Sequence, residues 1–371
     1  MTPNDLESKA MTSPPLTPET TAIPYTLERI ATIMTQDPHD PLETEGVLNP
    51  GTAWGPDGEL YLYPRIVADG NVSRIARARV LCEDGVPVGV ERLGVVLSPD
   101  ERWEHGRLNA GVEDPRITHL ESLGLHVMTY IAYGPLGPKP ALAYSTDTVE
   151  WHRLGPIQFA YQPELETDLN LFPNKDIVFF PELVPGPDGR PSIALLHRPM
   201  WDLDWLRPGE GTRTPAGIDE DRPSIWIGYV DVEAAMEDPS ALVRVHGSEM
   251  IAGPEMEYET AKIGAGPSPI RVPEGWLLLH HGVSGATPKG FELAHGSRYS
   301  AGAILLDADD PRRVLSRTAE PLLAPETTEE LTGTLGNVVF PTAIEKIGER
   351  TFVFYGMADS SIGVAELIRD R

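Results

Sequence analysis

Short β-type runs separated by Gly, Pro and Asp turns extend from Asn49 almost to the end of this 371-residue chain. Residues 127–133 and 276–280 are typical, because apolar, β-branched and aromatic side chains follow one another there over the length of one strand. Pro-Asp-Gly at residues 56–58 and 187–189 is a hairpin signal. No long amphipathic helix is indicated after Asn49, so the pattern predicts an all-β fold.

The runs recur as five units, in which an apolar strand, a Gly turn and a second apolar strand follow one another. Their spacing is on the order of 50 to 85 residues, within the range of propeller-like repeats with insertions. Radial repetition of small antiparallel sheets protects edge strands and leaves a central channel. We therefore predict a five-bladed β-propeller, and a large β-sandwich is the alternative that the same strands allow.

The amino-terminal residues have a different composition. Residues 1–25 are rich in Thr, Pro and Ser, which predicts a disordered or oligomer-contacting arm. Residues 26–371 are predicted to form a single propeller domain. Within it, apolar residues spaced by three and four over residues 27–34 predict a short helix.

Charge and cysteine content narrow the choice of partners and compartment. The chain has 56 acidic and 30 basic residues, a formal net charge of -26, which disfavours nucleic acid and anionic membranes as partners. Cys82 is the only cysteine, so an intramolecular disulfide is excluded. We find neither an apolar run of membrane-spanning length nor a signal peptide, and expect a cytoplasmic protein.

The stretch Glu113-Asp114-Pro115-Arg116 is the first candidate for a functional site. Proline biases the preceding residue towards an extended conformation, and it leads here into an apolar strand. Strand alternation sends the two carboxylates in different directions, so that one can face a cavity while the other pairs with the arginine. Taken alone, the stretch is better explained as a structural ion pair in a turn.

Equivalent positions of the other units also hold polar residues. Because the inner strands of a propeller meet at its axis, these side chains are expected to converge. Singly, each has an ordinary structural explanation, but together they form a set of carboxylates, amides and cations. The set comprises Asn49, Arg65, Asn174, Lys175, Asp176, Ser268, Asn337 and Asp359, with His197, Arg198 and His281 at strand ends.

With these motifs in this order, the sequence resembles glycoside hydrolase family 130, the inverting β-mannoside phosphorylases and related β-mannosidases on five-bladed propellers. The resemblance runs from about Asn49 to Ala365. Its motifs are Glu113-Asp114-Pro115-Arg116-Ile117-Thr118, Asn174-Lys175-Asp176, Leu196-His197-Arg198-Pro199, Gly264-Ala265-Gly266-Pro267-Ser268-Pro269, His281-Gly282-Val283, Asn337-Val338-Val339-Phe340-Pro341-Thr342 and Tyr355-Gly356-Met357-Ala358-Asp359.

The resemblance implies roles for individual residues. Asp114 matches the general acid, and we expect burial and the neighbouring Glu113 to raise its pKa. Inorganic phosphate is the implied nucleophile and co-substrate, giving α-mannose 1-phosphate with inversion. The predicted phosphate-binding residues are Arg65, Lys175, His197, Arg198 and Tyr299. The predicted mannoside-binding residues are Asn49, Glu113, Arg116, His281, Phe340 and Asp359.

One departure from the family pattern and two loops bear on specificity. Lys139 stands where many family phosphorylases carry an arginine, and if it does not reach the pocket the mannosidase alternative gains weight. Residues 201–222 and 284–297 are predicted to cover the acceptor side. Trp201 and Trp205 in the first of these loops suit either loop anchoring or stacking on sugar.

Three functions remain open from the sequence. A phosphorylase is favoured, a β-mannosidase of the same family that uses water is the alternative, and a non-catalytic glycan-binding propeller is the third. No His or Cys cluster has the spacing of a metal site, and no cofactor is expected. The resemblance implies a β-mannoside oligosaccharide and phosphate as partners, and homo-oligomers are common in the family. Linkage and acceptor sugar are not fixed by the sequence.

Overall fold

The computed structural model describes residues 23–204, 206–285 and 296–370, and the statements below concern these residues. They form an all-β fold in which strands pair almost entirely antiparallel and helices are short. Trp205 and most of the predicted cover at 284–297 lie outside the described residues, as does nearly all of the predicted amino-terminal arm.

The strands group into five antiparallel units. The first strand, β1 (Tyr25–Thr35), pairs with the last strand of the chain and therefore belongs to the fifth unit. Unit one contains β2 (Gly46–Trp54), β3 (Leu60–Ala68), β4 (Val72–Glu83) and β5 (Val86–Leu97). Unit two contains β6 (Ala110–Leu120), β7 (Leu125–Gly134), β8 (Gly137–Ser145) and β9 (His152–Pro156). Unit three contains β10 (Gln158–Phe159), β11 (Asn174–Phe179), β12 (Val184–Pro185), β13 (Pro191–Pro199), β14 (Ile225–Val230) and β15 (Arg244–Ala252).

The remaining strands complete the last two units. Unit four contains β16 (Lys262–Ala265), β17 (Ile270–Val272), β18 (Gly275–Ser284), β19 (Arg298–Leu306) and β20 (Val314–Arg317). Unit five contains β21 (Val339–Ile347), β22 (Arg350–Met357) and β23 (Ser361–Arg369) together with β1. Hydrogen bonding joins units one and two into one sheet through only two parallel residue pairs, Val72–Ala110 and Ser73–Gly111.

Helical segments serve as connections. The two α-helices are α1 (Val232–Glu237) and α2 (Thr328–Leu331). Short 3-10 turns occupy Pro163–Leu165, Leu169–Leu171, Pro239–Val243 and Glu257–Glu259. Over the described ranges no helix has both the length and the apolarity to cross a membrane.

Each unit packs against its neighbours through an apolar cluster. Neighbouring residues of a middle strand point to opposite faces, so Trp276 and Leu278 pack towards unit three whereas Leu277 and Leu279 pack towards unit five. The same alternation sends Phe352 towards unit one. Clusters of this kind lie between units one and two, two and three, three and four, four and five, and five and one. Burial on both faces explains why the middle strands are almost continuously apolar.

The predicted helix at residues 27–34 is wrong, because these residues belong to β1. Two register shifts in the pairing of β1 with β23, between Arg29 and Ala31 and between Thr32 and Met34, explain the misleading pattern. Each bulge inserts an extra residue and resets the alternation of side chains. Apolar residues therefore recur every three to four positions in a strand, which imitates the period of a helix.

Candidate active site

Strands β2, β6 and β11 share one backbone irregularity. Asn49 in β2, Asp114 in β6 and Asp176 in β11 lie where the register with the next strand shifts, and their φ angles are 43°, 49° and 56°. Asn and Asp adopt this left-handed conformation more readily than other residues with side chains, and a bulge redirects the side chain it contains. All three side chains line one cavity of about 510 Å³.

Most of the residues predicted for the site reach this cavity. The predicted residues on its wall are Asn49, Arg65, Asp114, Lys175, Arg198, His281, Tyr299, Phe340 and Asp359. They come from all five units, since even unit four contributes His281 from β18 and Tyr299 from β19. Glu113, Arg116 and His197 are buried and do not line the cavity.

Asp114 is fixed by two donors. Asn49 Nδ2 donates to Asp114 Oδ1 at 2.8 Å, and Arg65 Nη1 donates to the same oxygen at 3.1 Å. Burial would raise the pKa of Asp114, but the charges of Arg65 and Lys175 and the hydrogen bond from Asn49 outweigh it and lower that pKa. The predicted raised pKa is therefore wrong for the unliganded site, because cations from neighbouring units stabilise the ionised carboxylate.

Glu113 lies behind the cavity wall and holds two of the cations. Its Oε1 accepts from Arg65 Nη2 at 3.0 Å, and its Oε2 lies 3.5 Å from Lys175 Nζ. Arg65 is positioned further by Ser73, whose hydroxyl accepts from Nε at 2.9 Å. Glu113 thus connects a cation of β3 with one of β11 and fixes the distance between them.

Asp176, which the sequence placed in the converging polar set without assigning it a role, is the centre of a buried ionic network. Arg116 Nη2 donates to its Oδ1 at 3.1 Å, and Arg198 Nε donates to its Oδ2. His281 Nε2 lies 3.5 Å from the same Oδ2. Although burial opposes ionisation, the charges of Arg198 and Arg116 lower the pKa of Asp176. The carboxylate is therefore ionised, and it orients Arg198 on the cavity wall.

His197 packs in the apolar core. Its ring lies 4.7 Å from the ring of Phe159, and its Nδ1 is 3.0 Å from Asn174 Nδ2, whose amide oxygen accepts from the backbone N–H of Arg198. Burial lowers the pKa of His197 to about 3, so the ring is neutral. This placement gives His197 no contact with the cavity and makes it a support for Asn174 and Arg198.

Lys262 is a cavity cation that the sequence reasoning missed. It begins β16, its ammonium lies 5.1 Å from the centre of the Tyr299 ring, and none of the ion pairs among the described residues includes it. Burial, with the charge of Arg198 nearby, lowers the pKa of Lys262 to about 7. Its sequence signal was its position two residues before the Gly264-Ala265-Gly266 motif, where a unit begins.

Asp359 provides another carboxyl on the cavity wall, in the turn between β22 and β23. Burial, together with the charges of Asp114 and Glu113, raises its pKa to about 6 against the opposing effect of Arg65. Its φ of 51° again lies in the left-handed region. The carboxyls of Asp114 and Asp359 thus have opposite pKa shifts although they share Arg65 and Lys175 as neighbours.

Aromatic rings form an apolar side of the cavity. The His281 ring lies 4.4 Å from Phe340 and 6.2 Å from Tyr299, and burial lowers the pKa of His281 well below its usual value. Burial likewise raises the pKa of Tyr299 to about 12, so its hydroxyl stays protonated. Tyr133, which the sequence reasoning did not select, also lines the cavity. Neutral rings beside a charged wall suit a ligand with a polyhydroxyl ring and an anionic group.

The insertion at residues 201–222 borders the cavity. Trp201 is only 1% exposed and packs edge-on against Phe172 and Trp226, with ring centres 5.0 Å and 5.7 Å away. This packing anchors the loop. Further residues of the loop that line the cavity are Asp202, Thr212, Asp221 and Arg222.

Lys139 does not line the cavity. Its Nζ donates to the backbone oxygens of Asn170 at 3.0 Å and of Phe172 at 3.3 Å. The sequence predicted that a Lys139 outside the cavity would favour the mannosidase alternative, and this is the placement observed. Lys262 supplies a cation from another unit.

Known proteins share sequence and fold with this chain. The sequence profile of glycoside hydrolase family 130, described as beta-1,4-mannooligosaccharide phosphorylase, matches residues 240–371. The 1,2-beta-oligomannan phosphorylase of Thermoanaerobacter sp. (strain X514) is 29% identical over 260 residues, which span 69% of this chain and 68% of that protein. The chain is related to glycoside hydrolase family 130. The resemblance predicted from the sequence is thereby confirmed.

Two further relatives extend the comparison. The beta-1,4-mannooligosaccharide phosphorylase of Ruminococcus albus is 40% identical over 117 residues, which span 31% of this chain and 33% of that protein. The structure of beta-1,2-mannobiose phosphorylase from Listeria innocua, a complex with beta-1,2-mannobiose, superposes with a TM-score of 0.67 at 24% identity. That superposition covers 92% of this chain and 96% of the other, so the fold is shared over nearly the whole length.

Proposed function

We propose that this protein is an inverting phosphorylase that cleaves a β-mannoside with inorganic phosphate and releases α-mannose 1-phosphate. The observation that supports the proposal best is the position of the buried carboxyl of Asp114 in a cavity lined by five cations. These cations are Arg65, Lys175, Arg198, Arg222 and Lys262. A hydrolase needs no such group of cations, whereas a phosphorylase must hold an anion in line with the bond that breaks.

In the proposed reaction, a phosphate oxygen forms a bond to the anomeric carbon while the bond from that carbon to the glycosidic oxygen breaks. Asp114 supplies the proton that the leaving oxygen takes up, directly or through a sugar hydroxyl. Asp114 therefore has to be protonated when the sugar is bound. Phosphate next to Arg65 and Lys175 offsets the positive charge that lowers the pKa of Asp114, so its binding favours protonation.

Mannoside recognition is assigned to the other side of the cavity. Asn49 orients Asp114, and the rings of Phe340 and His281 offer an apolar surface to a pyranose. Asp359 accepts hydrogen bonds from sugar hydroxyls when it is ionised. Its protonated form, which prevails below about pH 6, can also donate one. The related phosphorylases that act on β-linked mannosides support this substrate class. The names of these two relatives give β-1,2 and β-1,4 linkages.

We also propose that the five units close into a five-bladed propeller. The clusters between successive units, including the one between units five and one, support this arrangement. Pairing of β1 with β23 joins the two ends of the described chain within one sheet. The cavity then lies at the axis, where the five inner strands meet.

A β-mannosidase is the second candidate. Asp359 is the observation that favours it, because an inverting hydrolase needs a second carboxylate as base for water. The placement of Lys139 outside the cavity also favours the mannosidase.

The phosphate dependence of substrate loss separates the two candidates. Purified protein is incubated with β-1,2- or β-1,4-mannobiose, with and without phosphate. We expect consumption only with phosphate, and synthesis of mannobiose when α-mannose 1-phosphate and mannose are supplied instead. Equal consumption in both conditions would support the mannosidase and reject the phosphorylase.

A further inference from the structure

A second cavity, of about 440 Å³, shares no lining residue with the first. Its wall is formed by later residues of strands that also border the first cavity. On β6 the first cavity receives Asp114 and the second receives Thr118 and His119, and on β2 the two receive Asn49 and Trp54. The second cavity therefore lies at the opposite ends of the inner strands.

Arg116 separates the two cavities along β6. It is 1% exposed and lines neither of them. Its guanidinium donates to Asp176 at 3.1 Å and to the backbone oxygen of Ala265 at 3.0 Å, which links β6 to β11 and β16. A molecule in the second cavity is thus held apart from Asp114, and the second cavity is not an extension of the first.

Glu345 in the second cavity has only neutral donors. Thr52 Oγ1 donates to its Oε1 at 2.8 Å, the side chain of Trp54 also hydrogen-bonds it, and no ion pair among the described residues includes it. Burial raises its pKa to about 7. Two neutral donors leave lone pairs of the carboxyl oxygens free, and Glu345 lines the cavity, so it can accept further hydrogen bonds.

The remaining wall is aromatic and hydroxylic. Trp54 is 37% exposed, so part of its indole is free for contact. The rings of His119 and His126 lie 4.8 Å apart, and burial, together with His119, lowers the pKa of His126 to about 4. Thr118 and Ser268 are hydrogen-bonded to each other at 2.7 Å. Ser268 thus lies here and not in the first cavity, where its position at the start of a unit had suggested a role.

The charge of the lining restricts the ligand. Glu121 and Glu345 line the cavity, while none of its lining residues is Lys or Arg. Phosphate and sugar phosphates are therefore disfavoured. A volume of this size suits a small ligand, and a partly exposed indole beside hydroxyl, imidazole and carboxyl groups is the chemistry that binds a neutral polyhydroxyl ring.

We infer that the second cavity is a non-catalytic binding site for a neutral saccharide, which stacks on Trp54 and hydrogen-bonds Glu345. This inference does not depend on phosphorolysis in the first cavity. The bound saccharide lies on the far side of Arg116 from Asp114. The site therefore adds affinity for a saccharide without taking part in bond cleavage.

Calorimetric titration of the full chain with β-mannotriose, without phosphate, tests the inference. We expect two binding events per chain in the wild type and in Trp54→Phe. Trp54→Ala should weaken the second event about tenfold, as loss of one aromatic stacking contact predicts. Glu345→Gln provides a second, smaller change in the same event. Tyr161→Ala, which removes an exposed aromatic residue that lines neither cavity, is the matched control and should behave as wild type.

Two results would overturn the inference. The first is a single binding event in the wild type that Trp54→Ala leaves unchanged. The second is binding of choline, but of no saccharide, in a manner that requires Glu345, which would make the cavity a cation site. Phosphorolysis of mannobiose is measured in parallel and should be equal in Trp54→Ala and wild type. If the protein shows no phosphorolysis but retains Trp54-dependent saccharide binding, the proposed function fails and this inference stands.

Discussion

Asp114 is ionised in the unliganded protein, although the proposed role as acid catalyst requires that it carry a proton. The cations that lower its pKa are the groups proposed to bind phosphate, so charge on the nucleophile and proton on the acid are linked. Binding of the anion offsets Arg65 and Lys175 and permits protonation of Asp114. If Asp114 becomes protonated only after phosphate has bound, cleavage should be slow when phosphate is absent.

Asp114→Asn should reduce turnover of mannobiose with phosphate by about 10²–10⁴-fold, because the amide cannot donate the proton as an acid. The shape and the contacts of the side chain are kept, so the thermal midpoint should stay close to that of wild type. Steady-state kinetics and thermal unfolding measure the two quantities. Asp188→Asn in the exposed hairpin at residues 187–189 is the control. Turnover of Asp114→Asn within tenfold of wild type would remove Asp114 from the acid role.

Lys262 predicts a pH dependence of phosphate binding. Its pKa is lowered to about 7, so it is charged below pH 7 and loses the charge as pH rises through that value. The KM for phosphate should therefore rise between about pH 6 and 8. Phosphate titrates in the same range, and Lys262→Arg, which keeps its charge, separates the two effects.

The comparison of the two pH profiles decides the role of Lys262. The variant should show a flatter rise than wild type, whereas parallel profiles would exclude Lys262 from phosphate binding. Lys262→Met should raise the KM for phosphate by about 10–100-fold, the usual worth of a charged hydrogen bond.

The sequence predicted which residues line the cavity better than it predicted their protonation states. Asp114 and Arg198 were found because their motifs stand at the start or the end of strands. The pKa shift of Asp114 was predicted in the wrong direction, since it depends on Arg65 and Lys175, which belong to other units. Lys262 was missed for a related reason: a lysine at the start of a strand looks like a surface residue until its burial is known.

At the scale of strands, bulges deliver the polar side chains to the cavity. Asn49, Asp114 and Asp176 occupy equivalent bulges, and each strand continues as regular β structure beyond them. Strand positions were predictable from apolar runs, for example residues 276–280 within β18. Bulges were not predictable, because the alternation of side chains along a strand gives no sign of where a residue is inserted. The same effect led to the wrong prediction of a helix in β1.

Asp176→Ala tests how strongly the inner strands depend on their ionic network. The change leaves Arg116 and Arg198 buried without their carboxylate, which should lower the free energy of unfolding by about 3–5 kcal/mol. Urea denaturation measures this quantity. Glu91→Gln breaks the exposed pair with Arg79 and should cost less than about 1 kcal/mol. Equal effects of the two changes would show that the network contributes no more than a surface pair.

At the scale of the whole molecule, β1 supplies the fourth strand of unit five. It pairs with β23 from Tyr25–Arg369 to Thr35–Ser361, and Arg29 Nε donates to the buried carboxylate of Glu330 at 2.8 Å. The five-unit pattern was visible in the sequence because each unit repeats its strands. The partner of β1 was not visible, since the two strands stand at opposite ends of the chain.

Truncation before and after β1 tests this contribution. Removal of residues 1–22 should leave the thermal midpoint unchanged, because β1 remains intact. Removal of residues 1–35 exposes the edge of β23 and leaves Glu330 without Arg29, so we expect a lower midpoint and a less cooperative transition. Differential scanning calorimetry compares the two variants. Identical melting of both would mean that β1 does not stabilise unit five.

The central claim concerns the nucleophile, and products formed in H₂¹⁸O identify it most directly. Protein, mannobiose and phosphate are combined in labelled water, and the products are followed by NMR and mass spectrometry. We predict α-mannose 1-phosphate without ¹⁸O at the anomeric carbon as the first product, together with unlabelled mannose. Free mannose that carries ¹⁸O at its anomeric carbon, formed at the rate of substrate loss, would show that water is the nucleophile and would contradict the account.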